Sequence, residues 1–341
     1  MAKHRQKVTV SDIAKRAGVS TATVSNSMNG TGRVSETTRV KVKQAMDELG
    51  FVRDYTAAKL RTGRSRLVGV LVQDIANPFY GEFSASFEAA LSQEGYLPII
   101  ANIGENKERQ SAMIAEVIAH GVAGIIVSPS SNTEVDDLER AFAHEIPVVT
   151  FVREIENSDF DFVGIDDYRC GELAAKQFLK DSHSQFAVIG GLESSSTGRL
   201  RAKGFVDTLH KAGIPDHCIV VKQGPQSRGF GRESAVDLVD AHTTFTAVFC
   251  HNDIVAMGAT AGFLSRGRVI GEDLSLIGCD NLPEACIWNP PLTSVETFSR
   301  FVGKIAADII ISRINGDKSK RRTVRLKPEL IERQSTFPVT G

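Results

Sequence analysis

The sequence predicts an N-terminal three-helix helix-turn-helix head followed by an α/β body of two doubly wound parallel-sheet lobes. Charge is the first observation behind this. A net charge of -1 over 341 residues hides fourteen basic against five acidic residues through Arg66, a head of +9, leaving -10 for the remainder. Such asymmetry suits a chain that meets a polyanion at one end only. Second, the head carries short amphipathic patterns separated by glycine-containing turns so tight that the helices must cross steeply. Third, from Leu67 onward, wholly apolar runs alternate with helical patterns. Strands buried on both faces belong to parallel sheets.

In chain order, Thr9 and Asp12 mark a helix start, Ile13, Ala14 and Ala17 its apolar stripe, and Gly18 its stop. Ser20 caps a second helix that presents Thr21, Ala22, Thr23, Ser25 and Asn26, small polar side chains suited to a major-groove edge. Past Gly30-Thr31-Gly32, Ser35 caps a third helix whose stripe is expected to be Val40, Val42, Ala45, Met46 and Leu49, with Gly50 as its end. Residues 1–53 form this head. Residues 54–66 are a hinge, too short to be a stable isolated helix and therefore suited to order on binding. The body spans 67–341.

In the body, strands are expected at Leu67–Val72 and at 97–101, 122–127, 147–152, 162–165, 186–190, 218–221, 245–250 and 274–278. Helices are expected between them at 79–91, 107–120, 134–143, 168–180, 199–212, 232–240 and 253–265, with a late one at 298–314. In such folds ligands sit in the crevice at the carboxyl ends of the strands. Asn77-Pro78-Phe79-Tyr80, Ser128, Val152-Arg153, Arg199-Leu200-Arg201, Asn252-Asp253 and Asp280-Asn281 fall there. A carboxylate and a guanidinium across a small cavity can clamp vicinal hydroxyls. Asp253 is expected to cap its helix, and Arg199 to face solvent or the other lobe.

Composition excludes other classes. Hydrophobic content of 42% and charged content of 24% are globular values. No run reaches the roughly 18 apolar residues of a membrane helix, and no apolar stretch follows the basic start, so a cytoplasmic protein is expected. Cys170, Cys218, Cys250, Cys279 and Cys286 show no metal-ligand or disulfide spacing. There is no nucleophile elbow, metal-binding HExxH helix or phosphate loop, so neither enzyme activity nor a cofactor is expected. The Gly190–Gly198 run can hold an anion at a helix start but lacks the phosphate-loop lysine.

The run Val8-Thr9-Val10-Ser11-Asp12-Ile13-Ala14-Lys15-Arg16-Ala17-Gly18-Val19-Ser20-Thr21-Ala22-Thr23-Val24-Ser25 resembles the opening of the lactose-repressor (LacI/GalR) family. The resemblance continues through Asn29, Gly30 and Arg33-Val34-Ser35 and extends to the C-terminal Pro328-Glu329-Leu330-Ile331-Glu332-Arg333-Gln334-Ser335-Thr336. The head and Arg153 are also similar to the maltose-regulon repressor branch. The resemblance implies a repressor that binds pseudo-palindromic operator DNA as a homodimer, under control of a small sugar-like effector. By matching position, Thr21, Ala22 and Asn26 read bases. Thr9, Ser20, Thr23, Ser25, Asn29 and Ser35 touch phosphates, and Arg33 is also among the DNA-binding residues. Leu60 wedges into the minor groove, with Ala57 and Lys59 beside it.

For the body, the resemblance implies a type I periplasmic-binding-protein-like fold. The chain then crosses between lobes near Gly164, Thr293 and Leu326, giving lobe 1 about 67–164 and 294–325, and lobe 2 about 165–293 and 326–341. The effector-binding set is Phe79, Tyr80, Ser128, Arg153, Arg201, Asn252 and Asp280. Arg153 beside Arg201 points to a sugar phosphate or acid, unless Arg153 pairs with Glu154, Glu156 or Asp159. Trp288 and residues 83–91 are expected at the dimer interface, with a core role for Trp288 as the alternative. A free-standing sugar-binding protein of transport or chemoreception shares the cleft but has no use for the head.

Overall fold

A computed structural model of the chain describes residues 8–52 and 65–339, in two compact units, Met1–Arg64 and Ser65–Gly341. Ala57, Lys59 and Leu60 lie outside the described residues.

The first unit contains α1 (Val10–Ala17), α2 (Thr21–Asn29) and α3 (Glu36–Leu49). Thr9 and Asp12 form a reciprocal capping box on α1: the Thr9 N–H donates to Asp12 at 2.8 Å, and the Asp12 N–H to Thr9 Oγ1 at 3.3 Å. Gly18 ends α1 at φ 65°, a left-handed conformation that lets the chain turn at once into the Ser20 cap of α2. Ile13, Ala14, Val24, Val42 and Ala45 are buried together, with Met46 and Leu49 packed against them. Val40 is not in this core; it is 57% exposed. Two residues along a helix is about 200° of rotation, so Val40 and Val42 point to opposite sides.

The second unit holds two six-stranded sheets. Its strands are β1 (Leu67–Val72), β2 (Leu97–Asn102), β3 (Gly124–Val127), β4 (Val148–Phe151), β5 (Asp161–Ile165), β6 (Phe186–Ile189), β7 (Ile219–Lys222), β8 (Ala247–Cys250), β9 (Ser275–Asp280), β10 (Thr293–Glu296), β11 (Thr323–Leu326) and β12 (Glu329–Ile331). The first sheet runs β11-β5-β4-β3-β1-β2, all parallel. The second runs β12-β10-β9-β8-β6-β7, parallel except for β12. The helices are α4 (Pro78–Gln93), α5 (Lys107–Ala119), α6 (Glu139–Ala143), α7 (Asp167–Lys180), α8 (Ser196–Lys211), α9 (Arg228–Asp240), α10 (Asp253–Leu264) and α11 (Ser299–Ile314).

Each sheet separates two apolar layers. Phe83, Phe87, Phe151 and Ile310 lie on one side of the first sheet, with Ile114, Ile125 and Leu138 on the other. The first crossing between lobes falls at Asp166, because β5 pairs in the first sheet while α7 packs in the second lobe's core. The second crossing comes after Glu296 rather than near Thr293. The expected boundary put residues 294–296 in the first lobe, but β10 pairs with β9. The third lies between β11 and β12. The late helix α11 packs on the first lobe, as expected. Trp288 packs partly buried against core residues of both lobes. Residues 83, 87 and 91 of α4 face the core, so only the other side of that helix is open to a partner. No described helix is long and apolar enough to cross a membrane.

Helices α7 and α8 approach so closely that glycine is required on both. A Cβ on Gly171 would lie 2.0 Å from the Arg201 carbonyl oxygen, and one on Gly204 2.0 Å from that of Tyr168. This crossing fixes the backbone that carries Arg201. Gly171→Ala is therefore expected to lower the unfolding free energy by about 3 kcal/mol, read from urea midpoints. Gly81→Ala on α4, with no atom within 4 Å of the new methyl, is expected to gain roughly 0.5–1 kcal/mol.

Candidate functional site

The first unit exposes one polar face. Thr21, Ala22 and Asn26 of α2 are exposed, Thr23 and Ser25 half-buried, and Val24 turns into the core. The hydroxyls of Ser20 and Ser35 accept from the N–H groups of Thr23 (3.0 Å) and Thr38 (3.3 Å). With Thr9, three of the sequence-selected residues thus hold helix N-termini, where backbone donors and the helix dipole favour a phosphate. The Asn29 amide donates to Ser25 Oγ at 3.3 Å, and Arg33 is exposed.

The second unit builds a cleft from strand ends of both lobes. The first lobe contributes Asn77, Phe79 and Tyr80 from the start of α4, and Val152 and Arg153 after β4. The second contributes Thr197 and Arg201 from α8, Gln226 before α9, His251 and Asn252 after β8, and Asp280 at the end of β9. Local rules explain several positions. Asn77 caps α4 through the Phe79 N–H (3.0 Å), with Pro78 at the first helical position. Asn252 caps α10 through the Val255 N–H (3.0 Å). Val152 sits at φ 62° in a three-residue turn closed by the Arg153 N–H on the Phe151 carbonyl (2.6 Å). A β-branched residue is strained there, and the turn places Arg153 at the cleft.

Arg201 is the centre of the second lobe's wall, 5% exposed. Its Nε donates to Asp167 Oδ1 at 2.8 Å, its Nη1 donates to the His251 carbonyl at 2.7 Å, and Asp280 Oδ1 lies 3.8 Å from Nη1. Burial pushes the Asp280 carboxyl up to about 7 against the pull of Arg201. Burial likewise raises Asp167, and burial plus the two nearby guanidinium groups hold His251 neutral. Arg153, equally buried, gives both terminal nitrogens to Glu105 (2.8 and 2.6 Å) and one to the Pro129 carbonyl (3.1 Å). Burial pushes Glu105 up, but Arg153 and the Ser131 donors outweigh it, and its carboxyl lies below the usual range. The charge that pointed to an anionic effector is thus neutralised by Glu105, not by Glu154, Glu156 or Asp159. The cavity among these side chains is ≈ 20 Å³, room for about one water.

Of the seven residues selected for this cleft, six line the cavity and Ser128 does not. The Ser128 hydroxyl sits 3.4 Å from the Tyr80 hydroxyl, and its carbonyl accepts from Gln73 at 2.7 Å, so it buttresses Tyr80. Asp253 is not a helix cap: buried, it accepts from Ser294 Oγ (2.6 Å) and the Leu282 N–H (2.8 Å), tying α10 to both neighbouring strand ends. Arg199 reaches the other lobe and pairs with Glu156 at 2.6 Å. Asp167, Thr197, Gln226 and His251 were missed. Thr197 could have been found by helical spacing, four residues before Arg201.

Comparison with known proteins follows this division. Residues 9–54 match the family described as bacterial regulatory proteins, lacI family, and residues 65–334 that of periplasmic binding proteins and the sugar binding domain of the LacI family. The maltose regulon regulatory protein MalI of Escherichia coli K12 is 32% identical over 96% of this chain and 98% of its own. A lac repressor dimer bound to operator and the anti-inducer ONPF superposes with TM-score 0.85, at 25% identity, over 97% of this chain and all of that one. The transcriptional regulator CelR in complex with cellobiose gives 0.73 at 25% identity with the same coverage.

The raised carboxyls have a pH consequence. Folded Asp280 keeps, up to about 7, a proton that the unfolded chain has lost, and burial shifts Asp167 in the same direction, so the contribution of Asp280 to stability falls as pH rises from about 4 toward 7. Asp280→Asn is expected to flatten that slope and to raise the urea midpoint at pH 8 relative to the parent, measured as a pH series of unfolding curves. With both wall arginines, both cleft faces and a separate three-helix head in place along its whole length, the chain belongs to the LacI family of bacterial regulators.

Proposed function

We propose that this protein is a sequence-specific transcriptional regulator, a repressor of carbohydrate-utilisation genes whose operator affinity is set by a sugar bound between the lobes. It acts by binding, not catalysis, and in the cytoplasm, where its DNA target is. One observation carries the reading: a single chain joins an exposed recognition helix, with Thr21, Ala22 and Asn26 outward, to a strand-end cleft with a buried Arg201–Asp280 clamp. The head match removes the reason for a free-standing binding protein.

One head reads few base pairs, so affinity requires two on a pseudo-palindrome, and a homodimer through the body supplies them. The operator-bound lac repressor dimer supports this assembly. Residues 54–66 are proposed as the hinge that orders on DNA, with Leu60 as its wedge beside Ala57 and Lys59. The cellobiose complex of CelR supports a sugar as effector. With Arg153 neutralised by Glu105, a neutral sugar fits better than a phosphate. Effector and operator are coupled by about 1–3 kcal/mol, and each changes the other's affinity by the same factor.

Selection of bound DNA from a random pool, repeated with neutral sugars present, tests the whole reading. A pseudo-palindromic consensus that shifts in occupancy with one sugar is the expected result; no enrichment over bulk DNA would refute it. On that consensus, Asn26→Ala is expected to lose about 1–3 kcal/mol and to relax preference at one base position, in fluorescence-anisotropy titrations. Leu60→Ala is expected to weaken operator binding while leaving sugar binding intact.

A further inference from the structure

The cleft has a second chamber outside the Arg201 cavity. It measures ≈ 580 Å³ and lies between the loops after β3 and β4 of the first lobe and the start of α8 in the second. Ligand sites commonly span about 300–1,000 Å³. Arg153 is the shared wall: it lines both this chamber and the inner cavity. The first turn of α8 divides the two, with Ser196 lining the outer chamber and Thr197 the inner cavity.

Its lining is rich in hydroxyls and carboxylates: Ser130, Thr133, Ser194 and Ser196, with Asp136 and Glu156. The chamber's basic residues are already engaged. Arg153 is held by Glu105, and Arg199 crosses the rim to Glu156 at 2.6 Å. An anion would therefore meet carboxylates without a free cation to receive it. Ser196 Oγ is buried with no hydrogen-bond partner, although a hydroxyl removed from water without one costs about 1–3 kcal/mol. Such orphaned groups are uncommon in native folds and mark places where a partner is missing. A hydroxyl-bearing ligand in the chamber supplies what this one lacks once the Ser196 side chain turns toward it.

We propose that the effector is an extended neutral glycoside of at least two units, one entering between Arg201, Asp280 and the facing wall as the inner cavity opens to admit it, and the next in this outer chamber. The proposal rests on the sugar-effector reading above and adds its length and charge. The inner cavity alone selects the terminal unit, through the Arg201–Asp280 clamp. The outer chamber adds hydrogen bonds from Ser196 and its neighbours. It also excludes phosphorylated sugars by the acidic rim.

Calorimetric titration of the full chain tests this with glucose, galactose and mannose, the disaccharides cellobiose, maltose, lactose and melibiose, cellotriose, maltotriose and glucose 6-phosphate. At least one di- or trisaccharide is expected to bind about tenfold or more tightly than its own monosaccharide units. Ser196→Ala is expected to weaken that ligand about fivefold, and Ser194→Trp, an exposed position, to block it by filling the chamber; both leave monosaccharide affinity unchanged. Monosaccharides binding as tightly as every longer sugar would overturn the chamber while leaving the regulator reading in place. So would variants that weaken short and long ligands alike, or glucose 6-phosphate as the tightest ligand. No binding by any sugar in the panel would overturn the sugar reading itself, and this inference with it.

Discussion

The buried Arg201 guanidinium is the constraint on which the effector lobe depends. A permanent charge at 5% exposure is tolerable only where its donors are met in place, because isolated burial of a charge costs far more than the fold can spare. Here the partners come from three separate elements: Asp167 opens α7, the His251 carbonyl follows β8, and Asp280 ends β9. The Gly171 and Gly204 contacts that let α7 and α8 touch bring the first of these within reach. One cation between two carboxylates leaves an excess of negative charge, and burial answers by raising both carboxyls toward their neutral forms. Such a cluster offers both donors and acceptors to the hydroxyls of a ligand, while on the opposite wall Glu105 compensates the charge of Arg153.

How much of this could be read from the sequence differs by type of feature. Strands buried on both faces were legible because one-dimensional patterning reports burial directly, and Leu67–Val72 falls where the apolar run predicts. Helix starts at Thr9, Ser20 and Ser35 were legible because capping is local chemistry over three residues. Arg201 and Asp280 fell at strand ends by the topology rule for open sheets and the family resemblance. Pairing was not legible. Arg153 finds Glu105, 48 residues away on the loop before α5, whereas the sequence offered nearer acids at 154, 156 and 159. Ser128 sits at a strand end like the ligand-facing residues, and only the packing of Tyr80 against it shows that its hydroxyl turns away. The crossing after Glu296 depends on which sheet accepts a short strand, a long-range choice that no local pattern contains.

The two walls store conformational strain at matching places. Val152 at φ 62° and Asp280 at φ 114° are non-glycine residues in the left-handed half of backbone space, one directly before Arg153 and the other itself a clamp residue. Each such residue costs on the order of 1–3 kcal/mol and persists because its surroundings over-determine it. For Val152 that surrounding is the short Arg153 N–H bond to Phe151 and the Arg153–Glu105 pair. Neighbouring Asn281 is tied on both ends of its amide, by Glu296 (2.7 Å) and Arg333 (2.6 Å), so the turn that aims Asp280 is held from the second lobe's C-terminal segment.

This arrangement bears on how an effector can act. The inner cavity, at ≈ 20 Å³, is occupied by side chains that satisfy one another, so a ligand must displace contacts before it makes its own. A ligand that merely replaced Arg201's partners one for one would bind without shifting any equilibrium. Control of the head requires contacts that exist in one cleft state and not in the other. The Arg199–Glu156 pair and the Asn132 N–H on the Ser194 carbonyl (3.2 Å) join the lobes at the cleft mouth. A ligand long enough to reach the mouth touches these lobe-to-lobe contacts, whereas a ligand confined to the inner cavity does not. The free energy that separates the two cleft states is therefore most directly available to an extended effector. For the extended glycoside proposed above, length rather than charge is then what brings the ligand to the contacts between the lobes.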